Sequence, residues 1–206
     1  MPDGEMEIKR GRKFEQVLSG AREIFLRDGF DGASVDDTAR AAGVSKATLY
    51  SYFNDKRILF MEVVRQECQR QASSAMAQVH VHKTIRAKLE FAVRTLVSLV
   101  TEPFNVAIFR VCVAEAERIP EIGKQFFDFG PGFGVARIAE FIEIAVQQGE
   151  LRCDDAKLAA AQLQNLCRAE VFDQALFLQD VEITDEQIER VVNGAVEMFL
   201  ARYGVT

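Results

Sequence analysis

One segment constrains the fold of this 206-residue chain more than any other, namely residues 34–56, with the sequence SVDDTARAAGVSKATLYSYFNDK. Ser34 and Asp37 have the S/T-x-x-D/E spacing of a helix start, in which the hydroxyl caps the first turn. Gly43 is placed to end that helix, because glycine adopts the left-handed conformation at little steric cost. Ser45 is placed to cap a second helix. Two short helices joined by three to four residues predict a helix-turn-helix.

The second of these helices separates an apolar face from a small polar face. Leu49 and Phe53 lie four residues apart on one side, and we expect them to pack inside the domain. The centre of the opposite side is small enough for the helix to enter a major groove about 12 Å wide. The predicted DNA-contacting residues are Ser34, Ser45, Lys46, Ala47, Thr48, Tyr50, Ser51, Tyr52 and Lys56.

Different members of this set suit different parts of the duplex. Lys46 can reach a phosphate or a guanine edge, Thr48 can bind a phosphate or touch a thymine methyl, and the Tyr50 hydroxyl suits a phosphate oxygen. Lys56 begins the next helix, and its charge beside that helix's N-terminal dipole makes a natural phosphate site. Tyr52 either packs inside the domain or contacts a phosphate. The alternative for the whole segment is a helical hairpin whose polar face is only solvated.

Residues 13–61 resemble the N-terminal DNA-binding domain of the TetR/AcrR family of bacterial transcriptional regulators, with the signature core GVSKATLYSYF. The resemblance implies DNA contacts at Lys46, Thr48, Tyr50 and Lys56, and in many members also at Ser34 and Tyr52. Two positions depart from the family pattern. Thr38 replaces an aliphatic core residue, so we expect its hydroxyl to bond the carbonyl four residues back. Ser51 stands where a larger contacting residue is frequent.

The charge is divided unevenly along the chain, whose net charge is −6 and whose pI is about 5.1. Residues 1–60 hold ten basic and ten acidic side chains, whereas residues 61–206 hold fifteen and twenty-one. Without the acidic tip, residues 8–60 hold ten basic against seven acidic side chains, and this local charge is the one that faces DNA. A basic cluster near the N-terminus either adds phosphate or minor-groove contacts or is a solvated tail; it consists of Lys9, Arg10, Arg12 and Lys13.

The rest of the chain is predicted to be helical. The predicted helices span residues 14–28, about 55–77, 84–100, 104–118, 121–127, 131–148, 155–178 and 185–203, with a turn at 128–134. The fold class is therefore all-α, with an N-terminal three-helix helix-turn-helix domain at residues 1–55 and a helical ligand-binding and dimerisation domain at residues 56–206. The helix over 55–77 joins the two domains without a flexible linker, which couples them mechanically. No apolar run of 18 residues exists and the N-terminal segment lacks an apolar centre, which predicts a cytoplasmic protein with no membrane partner.

The last two predicted helices carry wide apolar stripes that predict a dimer interface. The predicted interface residues are Leu163, Leu166, Val171, Leu176, Ile188, Val192, Ala195 and Phe199. One recognition helix reads few bases, and helix-turn-helix proteins usually dimerise to place two such helices about 34–36 Å apart. The resemblance implies the same arrangement. The alternative is that both stripes pack inside one subunit.

Phenylalanine is concentrated in the middle of the chain, with seven of its sixteen copies between residues 104 and 141. Such a cluster forms either an ordinary core or an apolar pocket with few polar anchors. The resemblance favours a pocket for a small-molecule effector, and the stretch RVCVAEAERIPEIGKQFF is similar to an AefR-like C-terminal domain. The predicted lining residues are Phe104, Phe109, Cys112, Phe126, Phe133, Phe141 and Cys167. Candidate polar anchors, each also explicable as an exposed or paired charge, are Arg110, Glu115, Arg168 and Glu170.

Other chemistries find little support in the sequence. The four cysteines lack zinc-site spacing, and the His80-x-His82 pair places its rings on different sides of a helix, so no metal site or cofactor is predicted. No Ser/His/Asp set and no phosphate loop is present, which argues against an enzyme. An all-helical ligand-binding protein or enzyme that kept the motif without using it is the remaining alternative outside DNA binding.

The sequence therefore predicts a ligand-responsive DNA-binding transcriptional regulator. We expect a homodimeric repressor that binds a palindromic operator in double-stranded DNA and is released by a small apolar or amphipathic effector. The alternative within the same class is a redox-responsive or ligand-independent regulator.

Overall fold

The structure is a computed structural model, and it describes residues 11–79, 81–178 and 181–205. Helices account for almost all of these residues. In chain order the helices are α1 (Arg12–Gly32), α2 (Val35–Ala41), α3 (Lys46–Tyr52), α4 (Lys56–Val79), α5 (Ile85–Thr101), α6 (Pro103–Ala116), α7 (Pro120–Phe129), α8 (Pro131–Gln147), α9 (Ala156–Leu166), α10 (Val171–Phe177) and α11 (Asp185–Tyr203). The predicted all-α class is confirmed. The chain divides into two compact units, of which the first ends at Gln66 and the second begins at Glu67, so the boundary lies within α4. The predicted boundary after residue 55 lies at the start of that helix.

The N-terminal unit is organised around the buried face of α1. Phe14 of that helix stacks on Phe53 with ring centroids 5.5 Å apart, and Phe25 meets Phe60 edge to face at 5.2 Å. These contacts bury apolar side chains that recur along α1 at helical spacing. The regular turns of α1 end at Asp28, as predicted, because Gly29 has a φ of 70°.

A close approach between α1 and the helix-turn-helix depends on one glycine. A Cβ atom at Gly20 would lie 2.5 Å from the backbone nitrogen of Ala42 and 2.7 Å from its Cα. Those are backbone atoms of the residue that follows α2, so they cannot rotate away as a side chain would. Gly20 therefore sets how near the turn between α2 and α3 lies to α1.

The C-terminal unit buries its core between α5, α8, α9 and α11. The most completely buried side chains of this core include Leu89, Val93, Ile142, Ala159, Val196 and Phe199. Isolated bridge pairing between Leu151 and Gly204 holds the end of the chain against the loop that follows α8.

This core corrects most of the predicted dimer interface. Five of the predicted interface residues are at most 3% exposed within the unit, so they stabilise the subunit and do not present a surface to another chain; they are Leu163, Val171, Val192, Ala195 and Phe199. Helical spacing shows which side of a helix is apolar but not whose side chains cover it. The other three, Leu166, Leu176 and Ile188, are partly exposed.

Two predicted boundaries were wrong. The predicted turn at residues 128–134 is reduced to Gly130, because α7 continues to Phe129 and Pro131 occupies the first turn of α8. The predicted single helix over 155–178 is broken after Leu166, and Glu170 adopts a φ of 66° before α10 begins. Neither glycine nor proline marks this break, which instead accompanies the complete burial of Cys167 and Val171 on its two sides.

In the described ranges no helix by itself has the length and apolar composition of a membrane span, although α5 and α6, which meet at a 62° bend, reach that length and composition as a pair.

Candidate nucleic-acid interface

The start of α2 is held by a network of short hydrogen bonds. The Ser34 hydroxyl oxygen accepts from the backbone N–H of Asp37 at 3.0 Å and its proton is donated to the Asp37 carboxylate at 2.6 Å. That donation lowers the pKa of Asp37, which keeps a negative charge at the helix N-terminus. The Thr38 hydroxyl is buried and donates to the Ser34 carbonyl at 2.8 Å. Both the predicted cap and the predicted partner of Thr38 are confirmed.

The turn and the start of α3 also follow the sequence prediction. Gly43 has a φ of 62°, in the left-handed region that it was expected to occupy. The Ser45 hydroxyl accepts from the backbone N–H of Thr48 at 3.1 Å, and the two hydroxyl oxygens lie 2.9 Å apart. Further along, the Ser51 hydroxyl donates to the Thr48 carbonyl at 2.7 Å. These bonds fix α3 as a short, locally stabilised helix.

The two faces of α3 differ sharply in exposure. Leu49 and Phe53 are buried, whereas Tyr50 is 52% exposed. The other exposed members of the predicted contact set on this helix are Lys46, Ala47 and Ser51, and Thr48 is half-buried. The exposed face is thus small at its centre, with one ammonium group and one phenol at its margins, as entry into a major groove requires.

Tyr52 packs inside the N-terminal unit. Its ring meets the ring of Phe14 edge to face with centroids 5.7 Å apart, and the side chain is half-buried. This geometry supports the packing interpretation of the tyrosine, and a phosphate contact by its hydroxyl stays a prediction.

Lys46 is paired with a carboxylate from the preceding helix. Its ammonium group forms an ion pair with Asp36 of α2, although both side chains remain more than half exposed. The pair joins α2 to α3 on the surface that would face DNA. A phosphate that binds Lys46 must therefore replace Asp36 and tolerate its negative charge nearby.

Lys56 makes backbone contacts that its position in the sequence does not predict. Its ammonium group donates to the carbonyls of Phe30 at 2.7 Å and Ala33 at 3.1 Å, with the Asp31 carbonyl at 3.3 Å, and lies 4.6 Å from the centroid of the Phe30 ring. An ammonium group has three donors, and backbone oxygens at the end of α1 occupy them. Lys56 thus holds the end of α1 in place, and its direct phosphate contact stays a prediction.

Half of the predicted basic cluster can be placed. Arg12 and Lys13 are exposed in the first turn of α1, whereas Lys9 and Arg10 lie outside the described residues. The basic charge of α1 therefore includes two solvent-facing side chains near its start.

Ring contacts link some of the predicted pocket residues. Phe109 meets Phe126 edge to face at 6.0 Å and also Phe172, which the sequence analysis did not single out, at 5.2 Å. Phe133 instead lies 5.6 Å from the guanidinium carbon of Arg137. Phe104, Cys112, Phe141 and Cys167 are buried. Helical spacing already places Phe172 one turn after the candidate anchor Arg168, but its contact with Phe109 of α6 depends on tertiary packing.

Phe141 borders a different concavity. This groove has a volume of about 270 Å³, and its rim carries the Lys88–Glu150 ion pair, with the nearer carboxylate oxygen 2.9 Å from the ammonium nitrogen. His82 also lines it and stacks near Phe91 at 5.1 Å. No group of three or more potential metal ligands occurs among the described residues, and His80 lies outside them.

Three cysteine thiols lie in surroundings that disfavour ionisation. Burial raises the pKa of Cys68 to about 11 and the pKa values of Cys112 and Cys167 to about 12. Because the thiolate is the reactive form, such thiols are poor redox sensors near neutral pH. The redox-responsive alternative therefore gains no support from these three residues.

Comparison with known families assigns both units. Residues 17–63 match the model of the tetR family of bacterial regulatory proteins, and residues 87–205 match the C-terminal domain of AefR-like transcriptional repressors. The second match alone covers more than half of the chain.

Solved structures and curated relatives agree with this assignment. A chain described as a TetR-family transcriptional regulator from Mesorhizobium loti superposes with a TM-score of 0.84 at 28% identity, covering 94% of this chain and 98% of the other. The flavonoid-responsive regulator FrrA has a TM-score of 0.70 at 32% identity over the same shares. The transcriptional repressor Rv1474c of Mycobacterium tuberculosis is 37% identical over 60 residues, 29% of this chain, and the match covers only about a third (32%) of that repressor's length.

Proposed function

Because the chain belongs to the TetR family of DNA-binding transcriptional regulators, with an AefR-like C-terminal domain, we propose that it is a homodimeric repressor that binds a palindromic operator and is released by a small-molecule effector. The family members that it matches are regulators and not enzymes. We place its action in the cytoplasm, where bacterial DNA is accessible.

The exposed face of α3 is the observation that carries the proposed DNA contact. Buried Leu49 and Phe53 anchor the helix, while Ala47 and Ser51 leave its centre low enough for the backbone to approach base edges. Lys46 and Tyr50 then reach the phosphates that flank the groove. We assign Lys56 an indirect part, since it holds the end of α1 against the start of α4.

Dimerisation follows from the small size of this reading surface. One seven-residue helix contacts too few base pairs for a specific site, and two copies about 34–36 Å apart read two half-sites. On the C-terminal unit the outward apolar side chains support a second copy of the chain as partner. They are Leu158, Phe177, Leu178 and Met198, together with the partly exposed Leu166, Leu176 and Ile188.

The effector proposal rests on the C-terminal unit. Its aromatic cluster of Phe109, Phe126 and Phe172 provides an apolar surface, and a relative that is 32% identical is named for its response to flavonoids. An effector that binds the DNA-free conformation more tightly than the DNA-bound one shifts the equilibrium toward release, by no more than that difference in affinity.

The proposal is tested by the salt dependence of DNA binding. Lys46→Gln should lower the slope of log affinity against log salt by about one if Lys46 contacts a phosphate. Arg190→Gln is the matched control, because it also removes one positive charge, at an exposed arginine of the C-terminal unit. Titrations use duplex DNA flanking the gene that encodes the protein. If the salt slope falls equally in both variants, the effect is one of general charge and counts against the proposed surface. If neither the slope nor the affinity changes in Lys46→Gln, the proposed surface is also contradicted.

A further inference from the structure

The guanidinium group of Arg168 packs against two aromatic rings. Its guanidinium carbon lies 3.9 Å from the centroid of Phe172 and 5.3 Å from that of Phe109, and the side chain is half-buried. Within the described residues no hydrogen bond or ion pair is formed by its guanidinium nitrogens. A charged group is rarely removed from water without a partner, since its desolvation is costly.

The other candidate polar anchors of this unit are already occupied. Arg110 donates to the carbonyls of Leu176 at 2.9 Å and Ala175 at 3.0 Å. Glu115 pairs with Arg118. Glu170 pairs with Arg190 at 3.1 Å. Arg168 is therefore the one candidate of that group whose charge is left without a polar partner in the described part of the chain.

The surroundings of Arg168 also affect its protonation equilibrium. Burial lowers its pKa from the ordinary value for arginine, and the nearby charge of Asp173 only partly opposes this effect. Asp173 is exposed and does not approach the guanidinium closely enough for an ion pair. The guanidinium remains charged near neutral pH because an arginine pKa lies far above 7. An anion that reached it would thus bind a cation whose solvation is already reduced.

Stacking leaves the donors of this guanidinium available. A ring on its face blocks only that face, whereas the five N–H groups lie in the guanidinium plane. Those groups match the two oxygens of a carboxylate in a bidentate pair. Phe172, Phe109 and Phe126 form a continuous edge-to-face series beside the guanidinium, which suits a flat apolar body.

The backbone at this position is also unusual. Arg168 lies in the break between α9 and α10, two residues before Glu170 with its φ of 66°. A non-glycine residue in the left-handed region is strained, and such strain is concentrated at ligand-binding and switching sites. Arg168 and Phe172 are four residues apart, and the Phe172 N–H donates to the Arg168 carbonyl at 3.2 Å, so their side chains lie on the same side of the chain.

We propose that Arg168 binds the acidic group of the effector, and that the effector is an organic carboxylate whose apolar body packs against Phe109 and Phe126. This inference rests on the proposed function, because it names the chemical class of effector for that regulator. Binding is non-covalent and requires no cofactor.

The test compares charged and neutral probes of the same shape. Cinnamate, 2-naphthoate and octanoate are titrated into the full-length protein by calorimetry, beside the corresponding uncharged amides. We expect at least one carboxylate to bind about ten-fold or more tightly than its amide, because hydrogen bonds to charged groups are stronger than neutral ones. Arg168→Gln should abolish that preference, and Arg168→Lys should keep part of it, since it retains a charge but not the bidentate geometry.

Arg152→Gln serves as the control, because it removes an exposed arginine of the same unit and should leave the carboxylate preference unchanged. The proposal is overturned if no carboxylate binds more tightly than its amide, or if Arg168→Gln keeps the preference. Should Arg168→Gln fail to fold, as judged by its melting curve without ligand, the carboxylate–amide comparison and Arg168→Lys decide.

Binding to flanking duplex DNA is measured for the same proteins without any probe. If the unaltered protein does not bind DNA specifically, the proposed function fails whatever the probes do. If it binds DNA but shows no carboxylate preference, only the assignment of Arg168 fails.

Discussion

Two lysines of the N-terminal unit carry the same charge, yet different partners hold their ammonium groups. Lys46 faces Asp36 across the surface of α2 and α3, where water and salt screen the pair. Lys56 donates to backbone carbonyls at the end of α1. A phosphate can replace an exposed carboxylate more easily than a set of backbone oxygens. Lys46 is thus the stronger candidate for a direct DNA contact.

Replacing Asp36 by asparagine should strengthen DNA binding. The change frees Lys46 and removes a negative charge from the surface proposed to face DNA, so we expect a roughly two- to five-fold lower dissociation constant, with the larger effect at low salt. Fluorescence anisotropy with labelled duplex DNA at two salt concentrations measures it. Asp154→Asn changes the net charge equally at an exposed position of the C-terminal unit. Equal strengthening by both variants would show a general charge effect and not a local one.

The residue-scale features that sequence could predict are the local ones. The caps by Ser34 and Ser45 depend on a side chain and an N–H three residues later, and both formed as predicted. The Lys56 contacts join residues 23 to 26 positions apart, and no spacing rule within a helix reaches that far. The partner of Lys46 likewise depends on how α2 crosses α3.

At the scale of elements, the contact between α1 and the turn before α3 depends on Gly20. Gly20→Ala places a methyl group 2.5 Å from the Ala42 backbone nitrogen, so α1 and the turn must separate. We expect the free energy of unfolding to fall by roughly 1–3 kcal/mol, as in other overpacked cores, and DNA binding to weaken with it. Urea unfolding followed by circular dichroism measures the change.

Gly32→Ala is the matched control within the same unit. A methyl group there would meet only the Asp28 Cβ at 3.4 Å, an ordinary contact. Its stability should stay close to that of the unaltered protein or rise slightly, because alanine restricts the unfolded chain. If the two alanine variants unfold alike, the close approach at Gly20 is not what positions the turn.

Helix boundaries were predictable where a cap or a breaker marks them. Thr184 caps α11, directly before the predicted start of that helix, and Gly149 follows α8 with a positive φ. The break before α10 carries no such residue, because Glu170 has ordinary helix propensity. We attribute the backbone conformation there to the tertiary packing of Cys167, Val171 and Phe172, which hydrophobic periodicity alone cannot predict. The contact of Arg168 with Phe109 was hidden for a similar reason, because it joins residues that lie far apart in the chain.

At the scale of the whole molecule, the apolar stripes of α9 and α11 serve the subunit first. Sequence identified their apolar sides correctly but assigned them to a partner chain, whereas Leu163, Val192 and Phe199 complete the core. The width of an apolar stripe in the sequence does not show how much apolar surface stays exposed once the subunit core has formed. That quantity depends on how many helices pack around it, which is a property of the assembled unit.

The buried thiols predict a loss of stability at alkaline pH. Burial raises the pKa of Cys112 and Cys167 in the folded state to about 12, against an ordinary value of 9.0 for a cysteine thiol, so the unfolded state releases these protons first. Their stabilisation is therefore complete below about pH 9 and is lost as pH rises toward 12. Urea unfolding at pH 8 and pH 10 should show a smaller loss for the Cys112→Ala, Cys167→Ala double variant than for the unaltered protein. The same loss in both would rule out these thiols as its source.

Chemical protection of bound DNA tests most directly whether α3 enters the major groove. Duplex DNA that the protein selects from a randomised pool is treated with dimethyl sulfate, which methylates guanine N7 in the major groove and adenine N3 in the minor groove. We predict protection of guanine N7 in two half-sites about one helical turn apart, 10–10.5 base pairs or a multiple of it. Protection confined to adenine N3, or none on DNA that remains bound, would contradict entry of α3 into the major groove.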